Sequence, residues 1–246
     1  MKTTDFVPLC DPETGVCALP QMEPQSARPA AEPARGEVLY VGDPMCSWCW
    51  GISPGLHQLE AEAQRRGVPF RILVGGLRPG GGDPWTDEFR SFLRHHWEEI
   101  AERSGQPFST KFLDRPAFNY DTEPASRAFV VLRRMLEEVS TPSTRKYDVF
   151  AAIQRKFYAD GEDPTVGSFY ESICAEYGLD YAEFLKRFAS PAARAATAQE
   201  FQEARALGVR SFPTVLFRDE KGIKVIAAGY ATGPGMVEAL GRVTEG

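Results

Sequence analysis

No run in the 246 residues approaches the roughly 18 to 20 consecutive apolar residues that cross a bilayer. The sequence therefore offers no membrane-spanning helix. Basic charge is short as well: 28 Lys and Arg face 34 Asp and Glu, leaving a net charge of −6. That balance argues against nucleic acid or an acidic membrane surface as the partner. Five cysteines are few for a disulfide-stapled secreted chain of this length. Residues 1–7 hold one Lys and no apolar stretch, so they do not read as a secretory signal and the expected location is the cytoplasm. Hydrophobic residues make up 43%, enough for a sizeable core in one domain with a large insertion or in two joined subdomains.

The placement of the cysteines says more than their number. Cys10 and Cys17 form one local pair, Cys46 and Cys49 another, and Cys174 stands alone. In a reducing compartment, close pairs are more often redox-active or metal-binding than structural. Residues 1–36 are rich in Pro, Ala and Glu and read as a tail followed by a flexible linker over 21–36. Between Cys10 and Cys17, Asp-Pro and Gly favour a tight turn that would bring the two sulfurs within bonding distance.

Residues 38–41 read as a buried strand entering a Gly-Asp-Pro turn, and residues 47–66 as a helix with Ile52, Leu56, Leu59 and Ala63 on one face. Residues 69–75 give a second strand, so the unit is a parallel crossover. Residues 83–189 read as an all-helical block, with Asp83-Pro84 and Asp163-Pro164 as capped helix starts. Its apolar stripes include Phe129, Leu132, Met135, Leu136 and Val139, then Val166, Phe169, Tyr170, Ile173 and Tyr177. The Gly-rich run 75–82 reads as a flexible connection into that block. After Ser190-Pro191, a further capped start, come a helix to Leu207, two antiparallel strands around 214–217 and 224–227, and a last helix. The expected organisation is a tail over 1–36, an α/β frame over 37–82 and 190–246, and a helical insertion over 83–189.

Cys46-Ser47-Trp48-Cys49 falls between a strand and the first turn of a helix. Unpaired amides and the positive end of the helix dipole favour a thiolate at Cys46. Cys49, three residues on, shares its helix face. One sulfur can attack a disulfide and the other can resolve the mixed disulfide.

The segment Tyr-Val-Gly-Asp-Pro-Met-Cys-Ser-Trp-Cys-Trp-Gly resembles the active-site segment of DsbA-family thioredoxin-fold proteins, closest to the FrnE-like branch of cytoplasmic disulfide oxidoreductases and isomerases. Pro54 matches the helix-kinking proline of such proteins, and residues 208–214, ending Ser-Phe-Pro-Thr, look like their cis-proline loop. The resemblance implies an α/β thioredoxin fold with a large all-helical insertion between the second and third strands. It also implies oxidation, reduction or isomerisation of protein disulfides, with a cellular thiol reductant or oxidant as partner. Cys46 would be the nucleophile and Cys49 the resolving thiol, while Trp48, Phe212, Pro213 and Thr214 would dock substrate. A cis Phe212–Pro213 bond would leave the Phe212 amide and carbonyl to pair with an extended substrate. No cofactor is expected, because the two sulfurs hold the electrons, and no metal.

One position departs from the family. Relatives often carry a buried carboxylate six residues before the first cysteine; here Tyr40 stands there, a poor base near neutral pH. Asp43 is the expected substitute in proton transfer. Ser47-Trp48 lacks the His common in DsbA-type oxidants, so the expected potential is milder, about −180 to −270 mV.

Several features admit other readings. A C-x-x-C can be half a zinc site. The Cys10/Cys17 pair fits an electron shuttle, a zinc-binding tail or an incidental surface pair. Cys174, on an apolar stripe, reads as buried and inert. His95 and His96 read as solvent-facing or structural, His57 as too far along its helix to pair with Cys49, and Trp50 as groove wall or core. Rival functions are a kappa-class glutathione transferase or isomerase, whose relatives usually carry Ser in place of the first Cys, and a non-catalytic protease adaptor.

Overall fold

The computed structural model describes residues 10–11, 16–18, 36–139 and 146–245; the linker reading for 21–36 lies outside them but for Gly36. The central strand is β3, Glu37–Gly42, in which every residue is buried, as a strand covered on both faces requires. It runs parallel to β4, Phe70–Val74, with Val38 opposite Phe70 and Gly42 opposite Val74. On its other side it runs antiparallel to β6, Thr214–Asp219, with Val41 opposite Thr214. The expected hairpin joins β6 to β7, Gly222–Ala228, giving the order β4-β3-β6-β7.

Between β3 and β4 the single helix expected over 47–66 is two, α1 Ser47–Gly51 and α2 Ser53–Arg65. The cause is Pro54, which has no N–H to return to the Trp50 carbonyl; that carbonyl accepts Gln106 Nε2 instead, at 3.1 Å.

The insertion between β4 and β6 opens with α3 Asp87–Ser104 and continues through α4 Glu123–Glu138, α5 Lys146–Tyr158, α6 Glu171–Glu176 and α7 Tyr181–Phe188. The chain returns to the frame through α8, Pro191–Ala206. Neither Asp-Pro pair inside the block starts a helix. Asp83 pairs with Arg78, and Thr86 caps α3 by accepting the Phe89 N–H at 3.2 Å. Asp163 pairs with Arg115 at 2.6 Å and closes a local turn on the Thr165 N–H at 2.9 Å. Ser190 behaves as expected, accepting the Ala193 N–H at 3.1 Å ahead of Pro191. An arginine claims each carboxylate, whereas the neutral serine hydroxyl stays with its helix.

Two members of the expected stripes, Val139 and Val166, are exposed, because each lies beyond the end of its helix and outside the helical period. The Gly-rich run is pinned rather than flexible. Its amides at Gly75, Leu77, Gly80 and Gly82 donate to Gly42 O, Asp43, Asp121 and Asn119 at 2.7 to 2.9 Å, and Gly80, Gly81 and Gly82 take φ of 88°, 65° and 104°, where only glycine sits easily. The free edge of β4 is closed by side chains: Glu200 accepts the Val74 N–H at 3.1 Å and Arg133 donates to Ile72 O at 2.6 Å. On the frame, α8 packs on β4, while the last helix, α9 Gly233–Glu245, packs on α2.

A second, small sheet was not legible in the sequence. β1, Cys10–Asp11, pairs antiparallel with β2, Val16–Ala18, and Cys10 stands opposite Cys17. β2 in turn pairs antiparallel with β5, Ser211–Phe212, placing Cys17 opposite Phe212 and Ala18 opposite Ser211.

Candidate active site

β3 ends at Gly42, and the chain turns back into α1 through Asp-Pro-Met, closed by the Cys46 N–H donating to Asp43 O at 3.0 Å. Cys46 is the N-cap of α1 in extended backbone, and Cys49 lies within that helix. Both are reduced thiols, outside any disulfide, and fully buried. Burial pushes the Cys46 thiol well above its ordinary value, and neighbouring Cys49 and Asp43 add to the rise. Enclosure thus works against the thiolate that the helix N-terminus favours at Cys46.

Asp43 is held as a strut. Its Oδ1 accepts the Met45 N–H and its Oδ2 the Leu77 N–H, each at 2.8 Å, and Ser126 Oγ approaches Oδ2 at 3.4 Å. Burial raises its carboxyl to about 6 in spite of those bonds. Its oxygens tie the cysteine turn to the Gly-rich run and to α4.

Tyr40 and Gly42 share a face of β3 by strand alternation. The phenol folds over Gly42 so closely that a Cβ there would lie 2.3 Å from its hydroxyl. Its ring meets Tyr147 and Phe150 of α5 edge-on, with centroids 5.8 and 5.6 Å away. The hydroxyl is buried beside the Cys49 thiol. Burial first, then Cys49, raises it well above the usual phenol range, so it stays a neutral donor. Tyr40, six residues before Cys46 where relatives often carry a carboxylate, thus stands at the site as a donor and not as a base.

Trp48 offers no exposed surface for a groove. Its ring lies against His96 and Tyr230, 5.9 and 5.7 Å away, and the Arg103 guanidinium stands 5.5 Å from its centroid. His96 is buried, stacked on Phe92 and lowered by burial to about 4, so it is a neutral structural ring. His95 is exposed beside Glu99, and His57 meets Asp148 at 3.3 Å. Trp50 is core, donating to Pro107 O at 3.0 Å.

The Phe212–Pro213 bond is cis. The register of Val41 with Thr214 brings Pro213 to the sheet end from which the cysteine turn springs. Thr214 Oγ1 donates to Ser211 O at 2.8 Å, and Pro213 O accepts the Gly229 N–H at 2.8 Å. The fully buried Phe212 ring lies over Gly75. Cys46, Cys49, Asp43, Tyr40 and Pro213 therefore gather at one end of the sheet. Cys174 is apart on α6, buried and raised to about 11.

An open cleft of about 770 Å³ lies behind α1, lined by Trp50, Ser53, His57, Gln106, Asp148 and Arg155 among others, without either active-site thiol. His57, Glu60 and Asp148 bring possible ligand atoms within 4.8 Å of one another, a grouping that the His57–Asp148 pair accounts for. Among the described residues no helix is long and apolar enough to cross a membrane.

Residues 37–233 match the family model of DSBA-like thioredoxin domains. Among solved structures, the chain is similar to a candidate protein disulfide isomerase from Nitrosomonas europaea, at 28% identity over 86% of this chain and 98% of that one, TM-score 0.74. It is also similar in fold to the cytosolic disulfide reductase DsbM from Pseudomonas aeruginosa, at 23% identity over 85% and 98% of the two chains, TM-score 0.70. A curated relative, the ClpXP adapter protein SpxH from Shouchella clausii (strain KSM-K16), is 25% identical over 88% of this chain and 69% of its own length.

Proposed function

The chain belongs to the DSBA-like thioredoxin-domain family, and from that premise we propose that it exchanges protein disulfides through Cys46 and Cys49. The observation that carries this reading is two reduced thiols three residues apart at the start of α1, at the same sheet end as Pro213. The Cys46 thiolate attacks a substrate disulfide, forming a mixed disulfide and releasing one substrate thiolate. Cys49 then attacks the Cys46 sulfur and releases the second, so two electrons pass to the substrate. A cellular thiol reductant or oxidant resets the pair. Tyr40 supplies a neutral hydrogen-bond donor beside Cys49, and Asp43 positions the cysteine turn. Phe212, Pro213 and Thr214 form the docking segment, with Trp48 packed beneath the site. The working compartment in this reading is the cytoplasm, in keeping with the cytosolic DsbM.

Insulin reduction and refolding of a scrambled-disulfide protein test this. Cys46→Ser is expected to abolish both activities, and Cys49→Ser to stall as a mixed disulfide with substrate; full activity in Cys46→Ser would sink the proposal. The SpxH relative supports a second reading, delivery of a client to a protease. An adaptor keeps its function when both cysteines are serine. The glutathione-transferase rival is weakened by Cys46 standing where those relatives carry Ser, and conjugation of an aryl electrophile with glutathione would revive it.

A further inference from the structure

The edge of β5 ahead of Pro213, expected to receive an extended substrate, is already taken. The antiparallel partner of Ser211–Phe212 is β2 of the protein's own N-terminal segment, with Cys17 opposite Phe212. Cys10 stands opposite Cys17. Directly opposed antiparallel residues have Cα atoms roughly 4.5 to 5.5 Å apart, inside the range of about 4.4 to 6.8 Å that a disulfide spans. Independently, Cys46 has no exposed surface, although a nucleophilic thiol must meet its substrate.

We propose that this hairpin is a tethered redox partner, docked as a substrate strand, that exchanges its Cys10–Cys17 pair with Cys46–Cys49. It rests on the active-site chemistry proposed above. Starting from an oxidised hairpin and a reduced site, the Cys46 thiolate attacks Sγ of Cys17. The Cys10–Cys17 bond breaks as the Cys46–Cys17 bond forms, and Cys10 leaves as a thiolate that takes up a proton. Cys49, having released its proton, attacks Sγ of Cys46 and expels Cys17. Two electrons have moved from the site to the hairpin with no other reactant consumed, and the reverse transfer uses the same bonds. While docked, the hairpin occupies the edge of β5 that an external strand would use.

Two full-length variants in a Cys174→Ser background test the register. One carries Cys10→Ser and Cys49→Ser, leaving Cys46 with Cys17; the other carries Cys17→Ser and Cys49→Ser, leaving Cys46 with Cys10. Dilute protein is treated with oxidised glutathione, quenched with acid, and digested without reductant for mass spectrometry. The Cys46–Cys17 link within one chain is expected to form at least tenfold faster than Cys46–Cys10. Equal rates, the reverse preference, or no link in either variant overturn the proposal. Turnover of insulin with a protein reductant is expected to fall at least threefold when Cys10 and Cys17 are both serine, and unchanged turnover overturns the relay. If the wild-type chain reduces insulin but the link fails, the hairpin proposal alone falls. If the wild-type chain does not reduce insulin, the active-site reading falls instead.

Discussion

Gly75 ends the strand region beside Phe212, and its replacement tests whether that ring sets the docking segment. A Cβ on Gly75 would lie 1.9 and 2.0 Å from two ring carbons of Phe212, where carbon atoms prefer about 3.5 to 4.0 Å. The ring would have to retreat by roughly 1.5 Å to restore that contact. Phe212 has no exposed surface into which to retreat, so the displacement passes to β5 and Pro213. Overpacking of this kind costs about 1 to 3 kcal/mol. The stiffer unfolded chain returns about 0.4 to 1 kcal/mol of it, because the Gly75 backbone is outside the left-handed region. Gly75→Ala is therefore expected to destabilise by about 1 to 2 kcal/mol, or roughly 2 to 8 °C in Tm for a chain of this size. Insulin turnover is expected to fall with it. Phe212→Leu removes the clashing ring carbons, so in that background Gly75→Ala should cost almost nothing, a coupling of about 1 to 2 kcal/mol. Urea unfolding followed by circular dichroism measures all four proteins. Equal penalties for Gly75→Ala in both backgrounds would refute the reasoning.

Asp43 makes stability depend on pH. Its folded value of about 6 lies above the ordinary 3.8, so its charged form is disfavoured by folding and the contribution is best below pH 4. Stability from this group, about 3 kcal/mol by the size of the shift, is lost as pH rises from about 4 to 6. In Asp43→Asn that slope should flatten, while one of the Met45 and Leu77 amides loses its acceptor at about 1 to 3 kcal/mol; urea unfolding from pH 4 to 7 reads both, and an unchanged slope would count against a buried Asp43 charge. The Cys46–Cys49 couple, titrated against glutathione in a chain with Cys10 and Cys17 replaced by serine, is expected between about −180 and −270 mV, since neither Ser47 nor Trp48 is itself a cation. A value near −120 mV would contradict that.

Several parts were legible because neighbours in the chain decide them. A buried strand, a turn and a C-x-x-C at a helix start lie within a dozen residues, and Ser190-Pro191 caps its own helix. The hairpin of β6 and β7 likewise needs only alternation and a turn glycine. Asp83 and Asp163 show the limit of such rules: the same Asp-Pro signal fails where Arg78 or Arg115 captures the carboxylate. The Gly-rich run is pinned where the sequence predicts a flexible connection for a related reason, since its acceptors at Gly42, Asp43, Asn119 and Asp121 come from other segments.

The sequence by itself determined the chemistry available, two thiols at a helix start after a buried strand, with a Ser-Phe-Pro-Thr segment to meet them. Only the tertiary structure decided the condition of those thiols. Enclosure raises the Cys46 thiol, because a buried anion loses its hydration. It also decided that the Cys10–Cys17 segment lies along β5. Strands of two and three residues have too little apolar surface to declare themselves, and they become strands through a partner almost the whole chain away.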